Sequence, residues 1–475
     1  DRDGIGPVAT ALMTGERRSI PEETLANMRD SGLAHLLAIS GLHIGLVAGL
    51  LFFAVRLGLA MIEPVALRYP IKKVAALGAI LGAFAYLLIS GATIPTQRAF
   101  LMVSIVMLAV MIDRTAISMR LVALSAMAVL LAAPESLLSA SFQMSFAAVV
   151  GLVAIYEVIA SRMSAMRQRG GIFGSRIGLF IAATLLTTLV ASLATAPFAI
   201  YHFNRIALYG LMANLVAVPV MAMWIMPLGI ISFLLMPAGL ESLALVPMGW
   251  GISIVLDIAE SVATLPGSVA LVPAMPTAGL VIVAIGGIWL CVLRNRIRLC
   301  ALSVVTAGFM TILLVKAPDI IINRDGGLVA INLGGGRVVM SPGNGKGFVR
   351  DMWQRWLAVE SLDPWPSGGI DRVSRIGCDP SGCITEIAGK TVAIVSDPVS
   401  DIEDCRRPDY IILLTRIPRR LCHDERLVLS RFHIWRDGAH AIRFGAEGPT
   451  VETSRERRGD RPWSRVSDKR RQYIQ

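Results

Sequence analysis

The chain has 475 residues, of which 55% are hydrophobic and 17% are charged, and its mean hydropathy is +0.64. Soluble domains carry about 25% charged residues, so this composition excludes a protein that is soluble throughout and places much of the chain in lipid. The formal net charge of +11 does not by itself indicate nucleic acid binding, because part of a basic excess in a membrane protein reflects its orientation or contact with anionic lipid.

Charged residues divide the chain into two territories, because most of them lie after Lys316 or in short loops between apolar runs. We therefore predict a membrane domain over residues 33–317 and a polar domain after it. Residues 1–32 contain two short amphipathic patterns, separated at Gly15 and Pro21, and we predict that they lie at the membrane interface. The sequence starts without an initiator Met, and we expect a further N-terminal portion in the whole protein.

The first apolar run, residues 33–60, is long enough to cross a bilayer and carries the polar residues Ser40 and His43. At about 1.5 Å per residue, a span entering near Leu33 places His43 close to mid-membrane. A titratable side chain at that depth is costly and usually faces a protein interior or a water-filled path, so this stretch is the first site hypothesis. The alternative is a histidine satisfied by a neighbouring helix. Glycines recur every four residues in this run, at positions 41, 45 and 49, and leave one face that permits close helix approach.

Ten apolar segments are predicted to cross the membrane. They lie near 33–58, 73–90, 98–112, 119–133, 142–160, 177–199, 206–222, 224–239, 276–293 and 299–316. Basic residues cluster in alternate loops, which predicts that these loops are cytoplasmic and that both ends of the chain are outside. This count requires residues 244–265 to lie along the interface. Three prolines interrupt residues 206–239, which indicates either broken helices beside a transport path or ordinary kinks.

Four polar side chains inside the later spans or at their starts are further candidates. Gln97 and Arg98 open the third span on the predicted outer side, where Arg98 either meets an incoming anion or extends toward lipid headgroups. Gln143 opens the fifth span and Asn214 lies in the seventh. For these two residues the alternative is a hydrogen bond between helices.

Five segments together resemble the competence domain of ComEC-type DNA-uptake channels. In chain order they are HLLAISGLHIGL at 35–46, SGATIPTQRAF at 90–100, DR at 113–114, PESLLSASFQMSFAAV at 134–149 and ATAPFAIYHFNR at 194–205. Their order and spacing in a polytopic chain make the resemblance specific, and it covers roughly residues 1–317. The resemblance implies an inner-membrane channel that passes one strand of incoming DNA into the cytoplasm during natural transformation.

The same resemblance implies accessory domains and partners. Family members usually carry an N-terminal oligonucleotide-binding-fold domain and a C-terminal metallo-β-lactamase-like domain, both on the periplasmic side. The implied partners are single-stranded DNA, the lipid bilayer, a periplasmic DNA receptor and cytoplasmic DNA-binding or motor proteins, and the path is formed by one chain or by a homodimer. On this view six residues are pore or gate groups: Ser40, His43, Gln97, Arg98, Gln143 and Asn214.

Two other classes of function stay open. One is a membrane transporter or membrane-embedded enzyme for a small anionic or lipid-linked substrate. The other is a scaffold of an uptake complex in which another protein conducts the DNA. An enzyme would need a converging set of metal ligands or a nucleophile, and the sequence of the spans offers none.

Residues 318–450 contain short strand patterns with an interposed helix, and their order resembles a metallo-β-lactamase-like α/β fold. The last strands are predicted to form a hairpin that turns at Asp437–Gly438. The HxHxDH cluster that binds two metals in hydrolases of that fold is missing, so we predict a degenerate domain with no metal, no cofactor and no nuclease activity. Residues 451–475 form an Arg-rich tail that is predicted to be disordered.

Four cysteines fall in the domain assigned to the outside, where disulfides persist. The favoured pairing is Cys378 with Cys383 and Cys405 with Cys422. A four-cysteine zinc site is disfavoured, because these spacings are poor for zinc.

Overall fold

The computed structural model of the chain describes residues 4–114, 118–169, 176–342, 347–366, 369–371, 376–397, 408–415, 426–459 and 461. The predictions for Cys405, Cys422 and most of the 451–475 tail lie outside the described residues. The chain forms two compact units. The helical unit comprises Asp1–Ala270 and Met275–Ile312, and the sheet unit comprises Leu271–Ala274 and Leu313–Gln475.

The helical unit consists almost entirely of helices, because its apolar runs have backbone groups that only internal hydrogen bonds can satisfy in lipid. Its helices are α1 (Ile5–Thr14), α2 (Glu22–Asp30), α3 (Ala34–Leu37), α4 (Gly41–Ala60), α5 (Glu63–Arg68), α6 (Ile71–Ile89), α7 (Ile94–Met111), α8 (Met119–Ala132), α9 (Ala140–Arg169), α10 (Arg176–Phe203), α11 (Gly210–Val220), α12 (Met226–Leu235), α13 (Ser242–Ala263), α14 (Thr277–Val292) and α15 (Cys300–Met310). Two short strands, β1 (Arg205–Ala207) and β2 (Val269–Leu271), follow α10 and α13.

Eight helical segments among the described residues are long and apolar enough to cross a membrane. They are Gly41–Ala60, Ile71–Ile89, Ile94–Met111, Ala140–Ile159, Phe180–Phe203, Gly210–Ala238, Ser242–Ala263 and Arg296–Leu314. The apolar helices α8 and α14 occupy two further predicted spans but are shorter. The helical unit is therefore a multi-pass membrane domain, as the composition predicts.

The prolines in residues 206–239 do not divide this region into two spans, and that prediction is wrong. Helix α11 continues through a π-helical turn, Met221–Ile225, into α12, so that Gly210–Ala238 is one helical segment. Pro219 and Pro227 flank the π-helical turn. The wider turn changes the local hydrogen-bond pattern where the prolines lack a donor, so the helix continues instead of ending.

Helix α13 is a 22-residue apolar helix, whereas the sequence count placed residues 244–265 along the interface. By length and composition this helix is able to cross the membrane. Gly210–Ala238 replaces two predicted spans, and α13 adds one. The eight long helices together with α8 and α14 therefore again give ten candidate spans among the described residues. This count agrees with the side predicted for the basic loop at 294–298, and that side stays a prediction.

The first two helices belong to the core of the helical unit. Leu12 of α1 and Met28 of α2 are buried, and both helices pack against α13. The Tyr86 hydroxyl of α6 donates a hydrogen bond to the Leu12 carbonyl at 2.8 Å. The depth at which residues 1–32 meet a bilayer stays a prediction.

The glycine face of α4 receives no neighbouring helix among the described residues, so the close approach that its glycines permit is not made there. A Cβ added at position 41, 45 or 49 would meet no atom within 4 Å. The close contact of α4 is made on another face with α6, where a Cβ at Gly82 would overlap the Leu51 side chain. The small residue that permits the approach is therefore on the partner helix.

Three ion pairs join loop ends that the basic-residue pattern assigns to the same side of the membrane. They link Lys73 with Asp113 at 3.0 Å, Glu157 with Arg294 at 2.6 Å, and Asp30 with Arg205 at 2.8 Å. The first two pairs lie at ends predicted to be cytoplasmic and the third at ends predicted to be outside. These contacts support the grouping of the loops, and the choice of cytoplasmic side stays a prediction.

The sheet unit contains two six-stranded sheets with the orders β14-β13-β3-β4-β5-β6 and β12-β11-β10-β9-β8-β7. The strands are β3 (Ile320–Ile322), β4 (Val329–Asn332), β5 (Val338–Met340), β6 (Asp363–Pro364), β7 (Gly369–Asp371), β8 (Ile376–Asp379), β9 (Gly382–Ile387), β10 (Lys390–Val395), β11 (Tyr410–Leu413), β12 (Leu427–Leu429), β13 (His440–Gly445) and β14 (Gly448–Thr453), and the helices are α16 (Gly347–Leu357), α17 (Arg431–Asp437) and α18 (Ser454–Arg458). Side chains of both sheets share one apolar core, as Ile331 and Ile412 illustrate. The predicted fold class, a helical membrane domain followed by a smaller region with β-sheets, is confirmed. A metallo-β-lactamase-like arrangement of those sheets stays a prediction.

The predicted hairpin about Asp437–Gly438 is wrong, because α17 occupies the first half of that segment. Ser430 N–H donates to His433 Nδ1 at 3.2 Å, and this capping arrangement starts the helix. Gly438, with φ of 85°, ends it. The closing hairpin is formed instead by β13 and β14, in which His440 lies opposite Thr453.

Candidate functional site

Ser40 and His43 cap the N-terminus of α4 reciprocally. The Ser40 hydroxyl accepts a hydrogen bond from Leu42 N–H at 3.3 Å, and Ser40 N–H donates to His43 Nδ1 at 3.3 Å. This capping box starts the helix at Gly41. His43 therefore lies in the first turn of the span, contrary to the predicted position halfway along a span that enters near Leu33.

The His43 ring is fully buried, and among the described residues only one of its two nitrogens has a hydrogen-bond partner. Because Nδ1 accepts from Ser40 N–H, the neutral ring carries its proton on Nε2. Nε2 has no hydrogen-bond partner among the described residues. A buried donor without a partner costs about 1–3 kcal/mol. The alternative of a histidine satisfied by a neighbouring helix is therefore not what the structure shows.

Two basic groups outside the spans approach the His43 end of α4. Arg17 and His35 lie close enough to interact electrostatically with the His43 ring. Both side chains are exposed, yet the protein packed around them removes enough water to lower the pKa of each group. The start of α4 therefore has one arginine and one further histidine nearby.

Arg98, in the second turn of α7, is only 7% exposed. Its Nη2 donates to the Ser141 hydroxyl in the first turn of α9. Nε and Nη1 have no hydrogen-bond partner in the part of the chain that the structure describes, and no ion pair of Arg98 with a described carboxylate is found. Of the two sequence interpretations, extension toward headgroups does not fit, because the guanidinium turns into the protein.

Gln143 also lies in the first turns of α9, where it joins two elements. Its Nε2 donates to the Leu137 carbonyl at 3.0 Å, and its Oε1 bonds with His202 Nε2 at 2.8 Å, near the end of α10. The sequence interpretation missed His202, although the residue lies in a segment that carries the family resemblance. Gln143 thus forms the interhelical hydrogen bond that was its alternative role.

Two of the six candidates make local contacts. Gln97 is exposed and donates to the Ala92 carbonyl at 2.7 Å, just before α7. Asn214, 9% exposed, donates to the Gly210 carbonyl at 2.7 Å within α11. Its Oδ1 is buried and has no partner among the described side chains and backbone groups. Asn214 therefore resembles His43 and Arg98 in having an unsatisfied polar atom.

The candidates share one location, the starts of α4, α7, α9 and α11, which we call the N-end of the helical unit. Contacts at this end link Arg98 of α7 with Ser141 of α9, Gln143 with His202, Asp30 with Arg205, and Gly32 with Gly210 at the start of α11, where a Cβ on Gly32 would lie 3.1 Å from the Gly210 Cα. Each helix N-terminus carries a partial positive charge of about half an elementary charge. The N-end therefore combines helix N-termini with basic side chains, an arrangement that favours anions.

The sheet unit shows a disulfide but no metal centre among its described residues. Cys378 and Cys383 are joined across the β8–β9 hairpin, which is the first of the two predicted pairs. No group of three His, Cys, Asp or Glu residues in the described ranges is arranged to hold a metal ion. His433 and His440, two of the late histidines, serve a helix cap and a bond with the Gly438 carbonyl.

The chain is similar to one family of known proteins. The family model described as competence protein matches residues 12–297. ComE operon protein 3 of Bacillus subtilis is 27% identical over 221 residues, which cover 46% of this chain and 25% of that protein. Recombination protein 2 of Haemophilus influenzae is 26% identical over 227 residues, which cover 46% of this chain and 27% of that protein.

A shorter similarity covers 22% of this chain and 14% of competence protein ComA of Neisseria gonorrhoeae, with 38% identity over 102 residues. The first two relatives are thus matched over about a quarter of their own length. No solved structure matches the chain.

Proposed function

The chain belongs to the competence protein family, and on that premise we propose that its helical unit is an inner-membrane channel that admits single-stranded DNA to the cytoplasm during natural transformation. The observation that carries the proposal is the N-end, which contains four helix N-termini and a buried arginine. A DNA strand carries one phosphate charge per nucleotide, and its passage requires cationic groups that replace the released counterions.

We assign the six polar candidates as groups of the entrance. Arg98 meets phosphate, and His43, held by Ser40, presents its free Nε2 toward the same end. Gln97, Gln143 and Asn214 supply neutral hydrogen-bonding groups near the other helix starts. Polar groups that are buried without partners are costly in a membrane protein, so their presence at one end supports a shared path.

The sheet unit is proposed to lie on the periplasmic side and to have no catalytic role. The Cys378–Cys383 disulfide supports this location, because disulfides persist in oxidising compartments. The missing HxHxDH cluster supports a unit without nuclease activity. A periplasmic DNA receptor, cytoplasmic DNA-binding or motor proteins, and a second copy of the chain are the proposed partners.

A second candidate function is transport of a small anionic substrate. The burial of Arg98 favours it, because a single buried guanidinium suits one oxyanion as well as one phosphate of a strand. Transformation distinguishes the two functions, because it requires the protein only if the protein is the DNA channel.

The test is the transformation frequency of a strain that carries His43→Ala or Arg98→Ala in the whole protein. We expect both variants to lower the frequency at least tenfold while the protein still accumulates in the membrane. Arg294→Ala, which removes an exposed arginine at the opposite predicted side, is the control and should leave the frequency unchanged. Unchanged frequencies for both His43→Ala and Arg98→Ala would refute the site assignment.

A further inference from the structure

Arg98 is a buried cation that has no compensating carboxylate among the described residues. It is 7% exposed, and its single described side-chain partner is the neutral Ser141 hydroxyl. Removing a guanidinium from water without a counter-charge costs several kcal/mol, a penalty that proteins normally offset with a carboxylate or a bound anion. No described carboxylate lies within ion-pair distance, so the second explanation is the one the structure leaves.

The helix α9 completes the surroundings of the guanidinium. The helix is 30 residues long, and Arg98 is directed at its N-terminus because Nη2 bonds to Ser141, the second residue of that helix. The preceding Ser139 hydroxyl accepts from Phe142 N–H at 3.2 Å and fixes the first turn. Two donor nitrogens of Arg98 are thus unpartnered next to the positive end of a long helix dipole.

Ser141 borders the guanidinium on its exposed side. Because Nε and Nη1 of Arg98 are themselves inaccessible, an anion reaches the guanidinium where the exposed serine side chain moves aside. The acidic residue closest in sequence to Ser141, Glu135, is also exposed and makes no ion pair with Arg98. Guanidinium groups match tetrahedral oxyanions with two parallel hydrogen bonds, and phosphate combines that geometry with sufficient charge.

We propose that Arg98, Ser141 and the N-terminus of α9 form a binding site for one phosphate group. The inference rests on the proposed function for the source of that phosphate, a phosphodiester of the entering strand. The unpartnered N–H groups of Arg98 donate to the phosphate oxygens, together with the second N–H of Nη2, and the Ser141 hydroxyl is a further contact. The same chemistry is offered by free phosphate and by lipid headgroups, so the experiment separates these sources.

The experiment follows thermal unfolding of the purified full chain in dodecyl maltoside, at constant ionic strength, with increasing inorganic phosphate. We expect phosphate to raise the unfolding midpoint of the wild type and to act at least tenfold more weakly on Arg98→Met. Methionine fits the apolar surroundings and removes the uncompensated charge, so the variant should fold without phosphate. Arg294→Met, the exposed control, should respond as the wild type does. An equal response of Arg98→Met and wild type would overturn the site.

Two further arms identify the source of the phosphate. A twelve-nucleotide oligothymidylate should stabilise the wild type at lower phosphate concentration than inorganic phosphate does, and this gain should vanish in Arg98→Met. Stabilisation by phosphatidylglycerol but not by the oligonucleotide would overturn the DNA assignment. If the phosphate effect depends on Arg98 while transformation does not, the site stands and the proposed function of the residue fails. If transformation depends on Arg98 and phosphate has no effect, the site itself fails.

Discussion

His43 has two separable roles at the residue scale, one for each ring nitrogen. Nδ1 caps α4 through Ser40 N–H, and Nε2 is buried and unpartnered. Substitutions can separate the two roles, because a glutamine at the third helical position also reaches back to the N-cap N–H but lacks the ring.

We predict that His43→Gln keeps the stability of the protein within the experimental error, whereas His43→Ala loses about 1 kcal/mol because the cap is lost. Transformation should fall with both variants, since neither has the Nε2 donor at the same place. The measurements are thermal unfolding in detergent and transformation frequency. Full transformation by His43→Gln would show that the histidine serves only as a cap.

The histidines of the sheet unit predict a pH dependence of its stability. Burial lowers the pKa of His440 and of His433 below the ordinary value. The unfolded chain therefore binds more protons than the folded unit as the pH falls through about 6.5, so stability should decrease there. Hydrogen exchange measures this effect: after division by the intrinsic exchange rate at each pH, the amides of β13 should be less protected at pH 5.5 than at pH 7.5.

The variant His440→Asn is the matched test, because its amide can donate to the Gly438 carbonyl as the ring does at 2.7 Å but does not titrate. Its stability should change less between these two pH values than that of the wild type. An identical change in both proteins would show that His440 does not contribute. Other groups, such as Asp319, whose pKa is raised by burial, affect both proteins equally.

The sequence predicts which residue types are unusual, but not their contacts. Arg98, His43 and Asn214 stand out because polar groups are rare in apolar runs. The bond of Arg98 to Ser141 spans 43 positions and the bond of Gln143 to His202 spans 59, so neither follows from local pattern. The cap by His43 was missed for a different reason, since glutamate and glutamine are the usual partners in that motif.

At the scale of elements, the contact between α14 and α15 depends on small residues. A Cβ added to Gly308 of α15 would lie 2.9 Å from the Gly279 carbonyl oxygen and 3.0 Å from Val283 N of α14. These are backbone atoms that cannot move aside alone. Gly287, on the same helix α14, would meet no atom within 4 Å.

We predict that Gly308→Val destabilises the helical unit by about 1–3 kcal/mol, because the added side chain separates the two helices. Gly287→Val is the control and should have little effect. Thermal unfolding in detergent measures both. Equal stability of the two variants would indicate that α14 and α15 do not approach closely in the membrane.

The apolar segments were predictable from hydropathy, whereas their connections were not. Prolines in residues 206–239 suggested an interruption, but the π-helical turn between α11 and α12 accommodates them. The period of apolar residues does not reveal such a turn, because it changes hydrogen bonding without changing composition. The glycine face of α4 shows the same limit, since a small-residue stripe does not specify which helix, if any, packs on it.

At the scale of the whole molecule, the assignment of the N-end as the entrance depends on which side of the membrane each loop faces. The three ion pairs group the ends, and the predicted sides rest on the basic loops and the disulfide. We predict that alkaline phosphatase fused after Lys316 is active, because this enzyme folds only in the periplasm. The same reporter fused within the loop at 294–298 should be inactive. The opposite pattern would reverse the assignment of the N-end as the entrance.

The central claim, that the helical unit conducts one DNA strand, is tested most directly by uptake of labelled DNA into cells. A strain without the whole protein is complemented with the wild type or with Arg98→Met, and duplex DNA labelled on both strands is added. We expect nuclease-protected, single-stranded label in the cytoplasm with the wild type, at least tenfold less with Arg98→Met, and equal binding of duplex at the cell surface. Equal amounts of protected single strand in the strain that lacks the protein would contradict the claim.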